Sequence, residues 1–485
     1  MNKHNKVPVF DTLLGHANRN VTSFHTPGHK NGKGIDSVLK NVTGDALYKF
    51  DVTVFDEVDS LHDPVGPIKK AEELMADAYG VKNSLFLVNG TSVGNIAMFL
   101  SACNPGDSII VSRSSHKSIM GGIILSGVWP IWLQPTIDQN LDIIFNSTYD
   151  EIKTALDMHP EAKAVFVTTP TYNGVVTEIK KIADLCHKRG KVLLVDEAHG
   201  PHLKFNNQLP MSAVDAGADL CVQSTHKILS ALSQGSVLHH NSKLVDINRV
   251  KKIVSMLQTT SPLYLTLASI DLARRQAVLH GQEMFDRVIE AANWARKEIN
   301  TKIPNMRCLT KDDIKDRGYD LDLTKLTINV TKTGLSGYEV DSILAKEYNI
   351  QVDCSDTFNL IAIMGIGSDM DDVQKLVSAL KEISKKYKGT QKNGILQIPS
   401  LATEMVMTPR EVFLSQDIKK IPLAKSVGHV SAQVLTPYPP GIPVVIPGER
   451  ISKEICDYLV DMASKGIRIS GQEGDILKMV KVFAN

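Results

Sequence analysis

Two strand-like runs that end in reactive side chains set the chemistry open to this chain: Leu193-Leu194-Val195-Asp196-Glu197-Ala198-His199, and Leu220-Cys221-Val222-Gln223-Ser224-Thr225-His226-Lys227. The apolar run Val192 to Val195, closed by an acid, predicts a buried parallel strand presenting Asp196 at its carboxyl end. In open α/β sheets, ligands sit at that end. A buried carboxylate has to be paired, and a protonated pyridine nitrogen is a suitable partner. The second run, Asp219 to Gln223, delivers Ser224 and Lys227 to the same rim. A lysine held there can lose its proton by desolvation and form an imine with an aldehyde. Taken alone, a lysine after a short strand is an ordinary surface residue. The two strand ends together point to pyridoxal phosphate, with Lys227 as its Schiff-base lysine and Asp196 as the acid that keeps its ring electron-poor.

Other short motifs fall where such a cofactor needs them, and each also has a plainer reading. Asn89-Gly90-Thr91-Ser92 lies between a predicted strand and a predicted helix. Free backbone N–H groups and the helix dipole there favour a phosphate. Gly90 lets the backbone approach, and Thr91 and Ser92 add hydroxyl donors; a simple N-cap turn would look the same. His116, in Ser114-Ser115-His116-Lys117-Ser118, follows another strand and could stack on a pyridine ring or act as a solvated cap. Thr169-Pro170-Thr171-Tyr172-Asn173-Gly174 could approach the ring's phenolic oxygen or form a tight turn. Asp196-Glu197-Ala198-His199 also matches the Walker B letters of some helicases, but no G-x-x-x-x-G-K-[ST] accompanies it. His199 and His202 lack the HExxH or cysteine pair that would complete a zinc site, so no metal is expected.

The elements that must position these residues alternate along the chain. From Pro67 the apolar positions Ile68, Ala71, Leu74, Met75 and Ala78 predict a helix capped by Gly80. Strands are predicted over 84–88, 108–111, 162–167, 192–195 and 220–223, with helices over 93–102, 149–158 and 177–189, the rhythm of a mainly parallel sheet. After about residue 310 the order becomes strand 325–330, helix 337–348, strands 350–354 and 360–364, and helix 370–386, a small α+β domain. The first sixty or so residues show little periodicity and read as an arm or lid. Polar residues from Lys385 to Asn393 read as a linker. Thr436-Pro437-Tyr438-Pro439-Pro440-Gly441-Ile442-Pro443 predicts a rigid loop in the last segment. The expected organisation is an N-terminal segment 1–66, a large cofactor-binding domain 67–310, a small α+β domain 311–388 and a C-terminal domain 394–485.

Composition narrows the partners. The chain has 485 residues, too many for one core, and 54 Lys+Arg against 53 Asp+Glu leave a formal charge of +1. That balance gives no electrostatic ground for nucleic acid or an anionic membrane, and no run approaches the length needed to span one. The six cysteines are scattered without a CxxC pair and read as reduced core residues. Met1 to Phe10 lacks a signal-peptide apolar core, so the expected compartment is the cytoplasm.

With these residues in hand, the chain resembles the bacterial ornithine/lysine/arginine decarboxylase family. It is most similar to the shorter forms without an amino-terminal receiver-like domain. The resemblance runs from His25-Thr26-Pro27-Gly28-His29-Lys30 through Leu61-His62-Asp63-Pro64, Asn89-Gly90-Thr91, His116-Lys117-Ser118, Asp196-Glu197-Ala198-His199-Gly200 and Ser224-Thr225-His226-Lys227 to Tyr438-Pro439-Pro440-Gly441-Ile442-Pro443. It implies the fold-type I, aspartate-aminotransferase-like architecture of an α/β protein with a mainly parallel central sheet, a small α+β domain and an additional C-terminal domain. It implies α-decarboxylation of a dibasic amino acid, arginine preferred over lysine or ornithine, in polyamine metabolism. Lys227, Asp196 and His116 would be catalytic. Gly90, Thr91, Ser92, His116, Asp196, Ala198, His199, Ser224, His226 and Lys227 would hold the cofactor. It further implies a homodimer with shared active sites, in which residues around Thr259-Thr260-Ser261 reach the neighbour's cofactor; assembly above the dimer is left open. One departure is visible: the family often carries an acid just after the threonine of its Asp-x-Thr segment, whereas Asp51-Val52-Thr53 is followed by Val54. Asp56, Glu57 or Asp59 would have to substitute, or the preferred substrate differs. The same cofactor on the same fold also serves aminotransferases and β-eliminating lyases, and a PLP-binding protein without turnover is a further alternative.

Overall fold

The computed structural model describes residues 2–138, 142–389, 401, 403–438, 442–465, 467–471 and 479–484. In chain order its principal elements are helix α1 (Pro8–Asn18), α2 (Pro67–Tyr79), strand β1 (Asn83–Leu87), α3 (Gly90–Ala102), β2 (Ser108–Ser112), β3 (Trp129–Leu133), α4 (Tyr149–Met158), β4 (Ala164–Thr168), α5 (Ile179–Lys188), β5 (Val192–Asp196), β6 (Leu220–Gln223) and β7 (Ser236–His240). There follow α6 (Ile247–Leu257), α7 (Tyr264–Lys302), β8 (Lys325–Asn329), α8 (Gly337–Tyr348), β9 (Cys354–Ser355), β10 (Asn359–Ile363), α9 (Met370–Lys386) and α10 (Lys453–Ser464). They divide between two compact units, one of Met1–Ser101, Leu194–Arg287 and Gly365–Gly367, the other of Ala102–Leu193, Val288–Met364 and Ser368–Asn485.

In the first unit β5 and β6 run parallel, with Leu194 beside Leu220, while β7 is antiparallel to β6 and β1 antiparallel to β7. Their faces are apolar: Phe86, Leu87, Leu194, Val195, Leu220, Val222, Val237 and Leu238 are buried. Parallel strands covered on both faces read as unbroken apolar runs, which is why β5 and β6 were legible. Helix α2 begins at Pro67 and ends at Gly80, which takes the left-handed conformation as its C-cap. The sequence predicts little periodicity before residue 60, yet α1 forms there with Val9, Leu13 and His16 buried. Only two apolar residues mark its inner face. What anchors it lies far along the chain: Asp271 on α7 accepts from the Val9 N–H at 3.1 Å, and Arg274, ion-paired to Asp271 at 2.8 Å, donates to the His4 and Lys6 carbonyls. Helix α7 has no counterpart in the sequence reading, because buried Asp271, Arg274 and Arg296 interrupt its apolar pattern.

In the second unit β2 is flanked by β3 and β4, all parallel. A separate antiparallel sheet has the order Arg307–Cys308, β8, β10, β9. Helices α4 and α8 both start with a capping box, Thr148 with Glu151 and Ser336 with Glu339. Near the C-terminus Leu423, Leu435, Ile442, Val444, Val445, Ile455, Leu459, Val480 and Val482 form one apolar cluster. Arg113 and Glu449 make a fully buried ion pair in this unit. Residues 439–441 of the Tyr438 to Pro443 motif lie outside the described residues, as do residues 390–393 of the linker stretch. All six cysteines are free thiols, five of them buried.

Candidate active site

Nine of the ten residues that the sequence singles out fall in the first unit, at the carboxyl ends of β5 and β6 and the start of α3; the tenth, His116, belongs to the second. Asp196 is the last residue of β5 and is 2 % exposed. Its Oδ2 accepts from Asn95 Nδ2 at 2.8 Å and its Oδ1 from the Ala198 N–H at 3.1 Å. Both donors are neutral. A buried carboxylate served only by neutral donors suits a cationic partner such as a pyridinium N–H.

One turn of helix, Thr225–Ile228, follows β6 and carries Lys227. The half-buried Lys227 Nζ lies 2.9 Å from His199 Nε2, so an amine or ammonium there has a base at hydrogen-bond distance. Ala198 is buried, and its carbonyl accepts from the Ser224 N–H at 3.3 Å, tying the two strand ends together. The Ser224 and Thr91 hydroxyls lie 3.2 Å apart. Helix α3 opens at Gly90, whose φ of +71° leaves open space where a β-carbon would project and whose N–H donates to the Gln234 carbonyl at 3.0 Å. The start of α3 therefore sets the Thr91, Ser92 and Ser224 hydroxyls beside a helix N-terminus, a donor set that fits a phosphate.

His226 Nδ1 meets the Gly235 carbonyl at 2.9 Å and so carries the ring proton. Burial pushes its pKa below the ordinary 6.5, although the Gly235 carbonyl opposes this. Its Nε2 becomes a second donor only on protonation, which an adjacent anion would favour. In the second unit, His116 Nδ1 pairs with Ser118 Oγ at 2.8 Å.

Sequence reasoning missed Asn95, which grips Asp196; its one available signal is the spacing of four from Thr91, which puts both on one side of α3. Of the three acids offered as substitutes after Thr53, two are engaged. Asp59 is buried and accepts from the N–H groups of Ser60, Val65, Gly66, Ile68 and Lys69, while Glu57 pairs with Arg19 and His16. Asp56 is exposed. The Leu61-His62-Asp63-Pro64 motif is held by His62, which reaches Ser255 Oγ at 2.8 Å and the Thr259 carbonyl at 2.9 Å.

The chain matches the sequence model of the Orn/Lys/Arg decarboxylase major domain over residues 7–372 and that of the family's C-terminal domain over 391–478. It is 38 % identical over 491 residues to an arginine decarboxylase of Halalkalibacterium halodurans, covering 100 % of this chain and 99 % of that one. Its fold is that of the lysine decarboxylase LdcF of Francisella novicida, with a TM-score of 0.86 at 24 % identity over 98 % of this chain and 81 % of the other. An alanine–glyoxylate aminotransferase of Nostoc sp. shares the fold over 69 % of this chain and 90 % of its own, with a TM-score of 0.54 at 18 % identity. The architecture is thus aspartate-aminotransferase-like with an added C-terminal domain, and the chain belongs to the Orn/Lys/Arg decarboxylase family of pyridoxal-phosphate enzymes, as a decarboxylase of dibasic amino acids.

Proposed function

We propose that this protein uses pyridoxal phosphate to decarboxylate arginine to agmatine and carbon dioxide. The reading rests above all on Asp196, a buried strand-end carboxylate whose donors among the described residues are both neutral, with Lys227 on the helical turn that follows the neighbouring strand. Arginine is favoured over lysine and ornithine by the full-length similarity to an arginine decarboxylase. When bound, pyridoxal phosphate supplies the sink for the electron pair released with the carboxylate.

Lys227 is the residue that would hold the cofactor's aldehyde carbon, and Asp196 the one that would hold its ring nitrogen. Thr91, Ser92, Ser224 and His226, with the first turn of α3 at Gly90, would hold the phosphate. Ala198 is small enough to lie against one ring face, and His116 is assigned to the other by family resemblance. The site must hold the bond from Cα to the carboxylate perpendicular to the ring, so orientation selects which bond breaks. Exclusion of water weakens solvation of that carboxylate. His199 Nε2, at 2.9 Å from Lys227 Nζ, can take up and return the proton that Lys227 delivers to Cα.

The segments 1–66, 67–310, 311–388 and 394–485 remain the proposed domain organisation, and the match of the family's C-terminal domain over 391–478 supports the last of them. A homodimer with shared active sites is supported by apolar side chains left in solvent in the first unit, with Phe24 at 92 %, Val42 at 82 % and Val65 at 80 % exposure. The proposed partner is a small amino acid rather than nucleic acid or membrane; among the described residues no helix is long and apolar enough to cross a membrane.

The test is end-point product analysis of cofactor-loaded protein given arginine, lysine and ornithine separately. Agmatine with an equal amount of carbon dioxide is expected. Cadaverine or putrescine instead would correct the substrate, and a keto acid without carbon dioxide would move the chain to transamination.

A further inference from the structure

Glu197 follows Asp196 directly but takes no part in the chemistry above. It is 1 % exposed, and four donors converge on it: the Ala213 N–H at 2.7 Å on Oε1, and on Oε2 the Ser212 hydroxyl at 2.8 Å, Gln223 Nε2 at 2.6 Å and the Cys221 thiol at 3.6 Å. Above about pH 7, the value to which burial raises it, this carboxyl is ionised and can only accept. Gln223 must therefore turn its NH2 toward Glu197, which turns its Oε1 toward His239 Nε2 at 3.0 Å. That oxygen also only accepts, so the His239 proton must sit on Nε2. His239 Nδ1 is then an acceptor, and Ser84 Oγ, 2.8 Å away, must donate to it. Ser84, His239 and Gln223 stand on adjacent strands β1, β7 and β6, and Glu197 closes the series just beyond β5. All four are buried, so none can turn to water for an alternative partner.

We propose that Glu197 is a positioning residue for the site: its carboxylate fixes the direction of the hydrogen-bond chain Ser84 to His239 to Gln223 to Glu197, and through Gln223 it holds the strand end that leads into Ser224 and Lys227. The functional half of this statement rests on the reading of Lys227 and Ser224 as cofactor-binding residues. Two features agree with the direction. The chain meets the β5 end again where the Glu197 N–H donates to the Val222 carbonyl at 2.9 Å, so side chain and backbone register the same two strand ends. Burial also keeps His239 and the neighbouring Tyr79 and Cys221 neutral: it holds His239 down at about 3 and pushes the Tyr79 and Cys221 groups well above their usual values.

Replacing the carboxylate with an amide has a definite consequence. In Glu197→Gln the amide oxygen is claimed by the Ala213 N–H, which leaves an NH2 facing the NH2 of Gln223. Gln223 must flip, its NH2 then faces His239 Nε2, and the imidazole proton must move to Nδ1 and point at Ser84. The exchange Glu197→Gln with Gln223→Glu returns a carboxylate to the chain and restores the original tautomer.

The experiment is nitrogen NMR of holoenzyme labelled with 15N-histidine at pH 8.5, with the His239 signals assigned by loss in His239→Gln, alongside steady-state kinetics. The expected wild-type signal is neutral imidazole protonated at Nε2; protonation at Nδ1 overturns the proposal without recourse to any Glu197 variant. In Glu197→Gln the tautomer is expected to switch, and kcat to fall about tenfold with KM changed less than about twofold, the pattern of a lost orienting interaction. The double exchange should recover both the tautomer and most of the rate. A switched tautomer with undiminished kcat would overturn the positioning role, as would an unswitched tautomer. Wild-type protein that shows the Nε2 tautomer but neither takes up pyridoxal phosphate nor releases carbon dioxide would instead defeat the proposed function.

Discussion

Asp196 and Lys227 make separable demands, and their substitutions separate the roles. Lys227→Ala removes the nitrogen that would hold the cofactor, so the visible absorbance of loaded protein and nearly all turnover should disappear together. A variant that keeps both would show the lysine misassigned. Asp196→Ala removes the charge that would face the ring nitrogen while leaving Lys227 in place, so the absorbance should persist and the rate should fall on the order of 10³-fold, the effect of withdrawing about 4 kcal/mol of electrostatic support. Spectra and single-turnover rates measured on the same samples decide between the two patterns. The positions of these two residues were legible because Asp196 closes a short apolar run and Lys227 follows another within one helical turn, and a strand end is a place that sequence can mark. Asn95 and Glu197 were not. Asn95 differs from any polar residue of a helix only by meeting Asp196, and the partners of Glu197, Ser212 before a short helix, Gln223 on β6 and, through it, His239 on β7, come together by tertiary packing that no local spacing encodes.

At the level of elements, α3 has to bring its N-terminus close to the strand ends for Thr91 and Ser92 to serve a phosphate, and Gly94 is what permits the approach. A β-carbon there would lie 2.5 Å from Val222 Cγ1 and 2.9 Å from Leu87 Cδ1. The Leu87 methyl can turn aside, but the branched, fully buried Val222 on β6 cannot. Gly94→Ala should therefore push α3 off the sheet, lowering stability by roughly 1–3 kcal/mol. It should also weaken retention of the cofactor on dialysis. Adding Val222→Ala opens the space again, so the double variant should be less destabilised than the two single changes added together. Thermal melts and cofactor content of the four proteins test this, and simple additivity would show that the contact is not the cause. The boundaries of α4, α8, α9 and β6 match the sequence reading to the residue, because each carries capping residues or a clean apolar run. Helix α7 escaped because its buried Asp271 and Arg274 satisfy each other and the backbone of residues 4–9, a long-range arrangement that looks polar in sequence.

For the molecule as a whole, near-neutral net charge means that the pH dependence of stability comes from individual buried groups rather than from overall repulsion. Glu72 on α2 is the clearest. It is fully buried, its Oε1 accepts from the Phe86 N–H at 2.9 Å, and burial raises its pKa from the ordinary 4.5 to about 8, with the Phe86 bond and nearby Lys69 opposing. Below about 4.5 the carboxyl is protonated in both folded and unfolded chains. Between 4.5 and 8 only the folded chain keeps the proton, so the stability this group contributes declines as pH rises and is gone above about 8. Glu197, raised to about 7 by burial against its four donors, acts in the same direction over a narrower window. His239, held near 3, acts oppositely: its neutral form contributes above about 6.5, and that contribution is lost as pH falls toward 3. Glu72→Gln keeps an oxygen for the Phe86 N–H and has no proton to lose. The variant should match wild type near pH 5 and exceed it at pH 9, by on the order of 2–4 kcal/mol, since each unit of pKa shift corresponds to about 1.4 kcal/mol. Thermal midpoints of both proteins from pH 5 to 9 give the answer: curves that diverge with rising pH support a buried neutral Glu72, whereas parallel curves would mean that its carboxyl is ionised in the native chain.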